Sequence, residues 1–306
     1  MTPSYTYRVS GLNVDCQFVL PGAIPIDSDA GAPDVQVSLA HVPDALEGGA
    51  GLGPNWDMVG EDMLLKVPGL ARFLMRGGRE ILVALEPGAS DRDASAYVLG
   101  TAFGILLHQR GALVLHGSAV ERGGEAIAIC GHSGAGKSTL AAALCKEGCA
   151  FVTDDLCAIS MDHAAHPVIL PDGRQIKLWQ EAIDRLELGQ QRGEPVMGRF
   201  EKYYMAPQDI AATPLRLRAI YLLRETRPPL TDGIELLNLP DAMQALDREA
   251  YRPGLRLKMG ARPELMRQGA TMLAHVKVFR LARPRDFARM SETLDALLGH
   301  WDALAA

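Results

Sequence analysis

Gly131 to Ser138 reads GHSGAGKS, a full match to GxxxxGK[ST], and Thr139 follows. Gly131, Gly134 and Gly136 let the backbone turn tightly and approach an anionic oxygen without a Cβ in the way. With His132, Ser133 and Ala135 between them, successive N–H groups converge on phosphate, and a helix starting near Gly136 adds its positive end. Lys137 is the residue type that bridges β- and γ-phosphates, and the Ser138 hydroxyl can complete a magnesium shell. A nucleoside triphosphate with Mg2+ is the implied ligand, bound by the nine residues from Gly131 to Thr139. The context agrees, because the apolar run EAIAIC leads directly into the loop and the helical pattern KSTLAAALCKE leads directly out.

Two further features share this neighbourhood. Asp154 and Asp155 close the next β-prone run, CAFVT, where adjacent strand ends would bring them beside the loop. One carboxylate can hold magnesium while the other accepts a proton from an attacking hydroxyl; the alternative for either is a turn or helix cap. His116 ends ALVLH, one strand before the loop, and is read either as a structural histidine or as a member of the site.

The elements that must position these residues follow from periodicity. Residues 1–92 carry short β-prone runs (YTYRVS, CQFVL, VQVSL, MLLKV, EILVAL) among Gly, Pro and Asp, predicting a small β-rich domain. Residues 92–110 predict a bridging helix ending at Gly111, so that the second domain is placed at 93–306. ALVLHGSAVE and EAIAIC predict two buried strands around the turn RGG. LCAIS, PVILP, RQIKLW, LRAIYLLRE and HVKVFRLAR predict further strands. QEAIDRLEL and DFARMSETLDALLGHWDALA predict helices. The stretch 189–212 has weak periodicity and is read as a substrate-facing loop. The resulting class is α/β, with a loop-bearing catalytic domain behind the β-rich one.

Composition narrows the partners. The chain has 306 residues, 48% apolar and 22% charged, with a net charge of −6 and no basic block, which argues against nucleic acid. The longest weakly polar run, AYVLGTAFGILL before His108, is shorter than the roughly 20 residues a bilayer span needs. No export signal is read at the N-terminus, so a cytoplasmic location without membrane attachment is expected. Cys16, Cys130, Cys145, Cys149 and Cys157 form no CxxC pair and are read as packing, not zinc ligands.

His116, GHSGAGKS, the helix after it and the pair Asp154/Asp155 together resemble the catalytic domain of the HPr kinase/phosphorylase family, bacterial serine kinases built on a phosphate loop. The resemblance spans about 112 to 160 and implies an HPr-kinase-like fold, with Lys137 and Ser138 on phosphate and magnesium. It further implies Asp155 as general base, Asp154 assisting at the metal, and His116 among the catalytic residues. The family's Gly-rich stretch with a Glu ligand and its later docking signature are not found. Leu115 to Val120 (LHGSAV), the loop, the Asp pair and Lys177 to Trp179 (KLW) are instead similar to shorter divergent relatives. Some of those phosphorylate the C-terminal serine of lasso-peptide precursors. The implied activity is an ATP- and magnesium-dependent kinase acting on a serine hydroxyl of a peptide or protein. The alternatives are a metabolite or nucleoside kinase on the same fold and a non-catalytic nucleotide switch. The switch lacks support from any LSGGQ-like or NKxD motif. A homo-oligomer is left open.

Lower in rank, Arg174 and Lys177 in RQIKLW are placed on one strand face, toward phosphate or, by default, toward solvent. Arg199 and Lys202 are candidates for a cation reaching the transferring phosphoryl group. Trp179, Tyr203 and Tyr204 are read as an acceptor or adenine shelf, or as packing.

Overall fold

A computed structural model of the chain describes residues 4–26, 31–172, 174–197, 200–227, 230–260 and 262–305. The first eight strands are β1 (Tyr5–Val9), β2 (Leu12–Cys16), β3 (Val35–Leu39), β4 (Ala50–Gly53), β5 (Trp56–Val59), β6 (Asp62–Val67), β7 (Ala71–Arg76) and β8 (Glu80–Leu85). They form one sheet in the order β1-β2-β3-β8-β7-β6-β5-β4. Tight glycine turns make most neighbours antiparallel, whereas β3 runs parallel to both β2 and β8. The run CQFVL is not a strand: Cys16 ends β2, and Phe18 and Leu20 instead plug the core as buried residues of irregular backbone.

The bridging helix forms as α1 (Asp91–Tyr97), a π-helical turn (Val98–Ala102) and α2 (Phe103–Gln109). Ser90 caps it, accepting from the Asp93 N–H. Its apolar side chains, among them Val98, Phe103 and Leu106, are buried in the same cluster as Phe73, Met75 and Val83 of the first sheet. Burial of each such side chain contributes about 1.5–3 kcal/mol.

The second sheet has nine strands among the described residues: β9 (Leu113–Leu115), β10 (Gly117–Arg122), β11 (Glu125–Cys130), β12 (Ala150–Asp154), β13 (Cys157–Met161), β14 (Pro167–Ile169), β18 (Leu215–Glu225), β19 (Gly233–Leu236) and β20 (Lys277–Arg283). β11, β18 and β20 run parallel, so their C-terminal ends open on one edge. β18 is buried on both faces, with Tyr221 and Leu223 in one cluster and Ile220 and Leu222 in the other, as a central strand covered on both sides should be. Helix α3 (Lys137–Lys146) and helix α8 (Met290–Ala305) supply one layer; α5 (Leu239–Glu249) and α7 (Arg262–Leu273) supply the other, with the short α6 (Pro253–Lys258) between them.

A third sheet, β15-β17-β16, joins β15 (Ile176–Trp179), β16 (Arg192–Pro195) and β17 (Lys202–Met205), and α4 (Gln180–Arg185) follows β15. Much of 189–212 is therefore not loop: β17 satisfies its backbone groups against β15, through pairings such as Leu178 with Tyr203, and β16 pairs in turn with β17. Four of the five cysteines are buried and all are free thiols. Among the described residues no helix is long and apolar enough to cross a membrane.

Candidate functional site

The glycine loop leaves the end of β11 and enters α3 at Gly136, which sits at φ 89°, a left-handed conformation suited to glycine. A Cβ there would lie 2.7 Å from Arg283 Nη2, so a side chain at this position would have to displace the end of that arginine. Arg283 ends β20 and donates to the Ala135 carbonyl at 3.2 Å, tying the loop to a parallel strand end on the far side of β18. Burial lowers the pKa of the Arg283 guanidinium, with Arg285 adding to the effect. Lys137 is buried and donates to the Gly131 and His132 carbonyls at 2.8 and 3.2 Å, folded back along its own loop.

The predicted run ALVLHGSAVE divides at His116. β9 pairs with β13, whereas β10 pairs with β11 and β12. On the partner side the chain divides in the same place, since Leu115 faces Cys157 while Ser118 faces Asp154. The register is the same on both sides of the break and sets His116 across from Leu156 and Asp155 across from Gly117, so His116 and Asp155 are diagonal neighbours at an interruption of one antiparallel pairing. Asp155 takes φ 71° there, a left-handed conformation that Asp adopts more readily than most residues. His116 Nδ1 lies 3.1 Å from the Asp155 carbonyl, and its N–H donates to the Glu249 carbonyl at 2.7 Å.

β12 is not adjacent to the loop's strand, because β10 runs antiparallel between them. The Asp pair reaches the loop through side chains instead. Asp154 is buried, and its Oδ1 accepts from Ser138 Oγ at 2.8 Å and from Ser118 Oγ at 2.6 Å. Its Oδ2 accepts from the Lys177 N–H at 3.3 Å. A serine hydroxyl against a carboxylate is a pair of hard oxygen donors, a set that fits magnesium completed by phosphate oxygens and water.

Lys177 Nζ donates to Asp155 Oδ2 at 2.8 Å. Burial pushes the Asp155 carboxyl up, yet Lys177, with Lys202 and His116 beyond it, more than reverses this and holds the group well below the usual carboxylate range. Lys177 itself is raised: burial disfavours its charge, and Asp155 outweighs that.

These groups share a cleft of about 370 Å3, whose lining runs from Ser133 to Thr139 and includes His116, Asp155, Lys177, Lys202, Arg283 and Arg285. Asp154 lies beneath it, reached through Ser138. Gly131 and His132 do not line it, and His132 faces a separate depression beside Arg224 and Glu225.

Some expectations fail here. Arg174 and Lys177 are buried, not solvated; Arg174 precedes β15, pairs with buried Asp172 and the Leu99 carbonyl, and does not line the cleft. Spacing by three puts the two residues on no common strand face. Tyr204 is buried packing, while Trp179 stands at the cleft 53% exposed, edge-on to Phe200 at 6.4 Å. Arg199 lies outside the described residues, and Lys202 lines the cleft. Sequence reasoning missed Ser118, which sits within LHGSAV, and Arg283 and Arg285. Their one signal was that Arg283 ends a run predicted as a strand.

No family model matches the chain, and no curated protein matches it. Among solved structures the chain is similar to the Hpr(Ser) kinase/phosphatase from Coxiella burnetii. The two are 13% identical over 63% of this chain and 92% of that one, with a TM-score of 0.34.

Proposed function

We propose that the protein is a magnesium- and ATP-dependent phosphotransferase that moves the γ-phosphoryl group to a serine hydroxyl of a peptide or protein, lasso-peptide precursors being one such class. The observation that carries this reading is the placement of Asp155 in the same cleft as Lys137 and Ser138, with Asp154 under the Ser138 hydroxyl.

In this mechanism the loop N–H groups and the N-terminus of α3 hold the β- and γ-phosphates, and Lys137 leaves its two carbonyls to meet them. Ser138 and Asp154 are the residues that would hold magnesium, which when bound would neutralise charge on the phosphates. Lys177 and Lys202 face the position where charge spreads over the transferring group. Once Lys177 is shared with phosphoryl oxygen, Asp155 is released to accept the acceptor proton. The acceptor oxygen bonds to the γ-phosphorus, the bond from that phosphorus to the β–γ bridging oxygen breaks, and the proton goes to Asp155. His116 orients the turn that presents Asp155. Exposed Trp179 and Phe200, at and beside the cleft, favour an extended peptide over a small metabolite, since they offer apolar surface outside the pocket.

The test is γ-labelled ATP with magnesium, offered with serine-containing peptides and separately with a metabolite pool. Label on a peptide serine supports the reading. Label on a small molecule replaces the acceptor class, and hydrolysis indifferent to any acceptor removes the kinase assignment.

A further inference from the structure

Arg256 is 3% exposed, and its Nε and Nη1 have no hydrogen-bond partner among the described residues. It forms no ion pair there. An arginine carries five donors and cannot shed its charge at physiological pH, so leaving it buried and unpaired costs several kcal/mol. The nearest acids act on it only at longer range: Asp247 is engaged by Arg262 at 3.0 Å, and Glu264 by Arg267. Within reach of its charge stands His108, whose Nδ1 is likewise buried without a partner among the described residues and whose Nε2 meets the Tyr251 carbonyl at 2.8 Å. Burial, reinforced by the charge of Arg256, lowers the pKa of His108 to about 4, so the ring is neutral and does not add a second cation.

The Arg256 side chain lines a pocket of about 240 Å3 between α5, α6 and α7, with Arg262, Leu265 and Pro253 among its walls. This volume is below the usual range for nucleotide- or drug-sized ligands and suits a small anion. None of its lining residues lines the glycine-loop cleft. From these observations we infer that the α5–α6–α7 pocket is a second ligand site, which binds a small anion of the phosphate or carboxylate class through Arg256 with Arg262 at its rim. The ligand supplies the acceptor that Arg256 lacks, and Asp247 sets a limit on its charge because that carboxylate shares the wall. The site lies on the segment that holds the catalytic turn: Ala250, in its wall, bridges Leu115, and the neighbouring Glu249 carbonyl takes the His116 N–H.

The experiment is calorimetric titration of the full chain carrying Lys137→Ala, so that the glycine loop contributes little, with inorganic phosphate and separately with succinate. Saturable binding of phosphate is expected, weakened about 10–100-fold by Arg256→Met, the loss of charge-assisted hydrogen bonds. Saturable binding of succinate alone, with the same dependence on Arg256, identifies a carboxylate ligand and supports the site equally. Arg262→Gln alters an exposed side chain and keeps the test decisive should Arg256→Met fail to fold; it too should weaken binding. Without anion, Arg256→Met should melt higher than its parent, because a buried unpaired charge is gone. Absence of saturable binding by either anion, or binding unchanged in both arginine variants, overturns the inference.

Discussion

Lys177 holds both members of the acidic pair: its Nζ donates to Asp155 Oδ2 at 2.8 Å and its backbone N–H reaches Asp154 Oδ2 at 3.3 Å. A strand of the third sheet thus fixes two carboxylates that the second sheet presents. Asp155 is held ionised by a lysine that phosphate would also attract, and in the proposed mechanism this couples the readiness of the base to the arrival of substrate.

Lys177→Met should destabilise the protein by about 2 kcal/mol at pH 7, below the ~3–5 kcal/mol for breaking a fully buried pair, because Asp155 opens onto the cleft. The depressed Asp155 pKa contributes stability above the ordinary carboxylate range, lost as pH falls through it; the raised Lys177 pKa contributes below the ordinary lysine range, lost as pH rises past it. Urea unfolding should therefore show the variant's deficit across neutral pH and its shrinkage from about pH 4 downward. A deficit independent of pH would mean that packing, not charge, was lost.

The two aspartates should separate by readout. Asp155→Asn is expected to lower kcat by about 10²–10⁴ because proton acceptance is removed, while nucleotide affinity does not fall, since the Lys177 charge freed from the lost ion pair stays available to phosphate. Asp154→Asn should instead raise the magnesium concentration needed for half-maximal nucleotide binding. Single-turnover rates and magnesium titrations with a fluorescent ATP analogue distinguish them, and identical profiles for both would merge their roles.

Gly136→Ala should reduce nucleotide affinity at least ~10-fold, through about 1–2 kcal/mol of left-handed strain and displacement of Arg283 from the Ala135 carbonyl. Gly134→Ala is the control, because its φ of 80° carries the strain while a Cβ there meets nothing within 4 Å. In an Arg283→Ala background the difference between the two glycine variants should contract. Equilibrium nucleotide binding across the four proteins reads this directly.

The thiols should be quiet. Burial pushes Cys16, Cys130 and Cys145 up to about 12 and Cys149 to about 11, so little thiolate exists at pH 8. A chromogenic disulfide reagent should label the folded protein slowly and all five cysteines rapidly in denaturant. Rapid labelling of the native chain would place a thiol at the surface.

The sequence by itself determined the local chemistry. GHSGAGKS between an apolar run and an alanine-rich helix dictates a strand, a glycine turn and α3, because glycine spacing and helix propensity act over neighbouring residues. The regular elements of high β-propensity, such as β8, β11 and β18, were legible for the same reason. Only the tertiary structure decided which distant side chains met. Arg283 lies 148 residues from Ala135 and arrives because β11, β18 and β20 are parallel. Lys177 turned inward because β15 pairs with β17, whose strand character in 189–212 is invisible to periodicity when so much of its pairing is non-local. Asp155 acquired its left-handed turn and its place beside His116 at an interruption shared by two paired segments distant in the chain, a property of the pairing that no single stretch of sequence encodes.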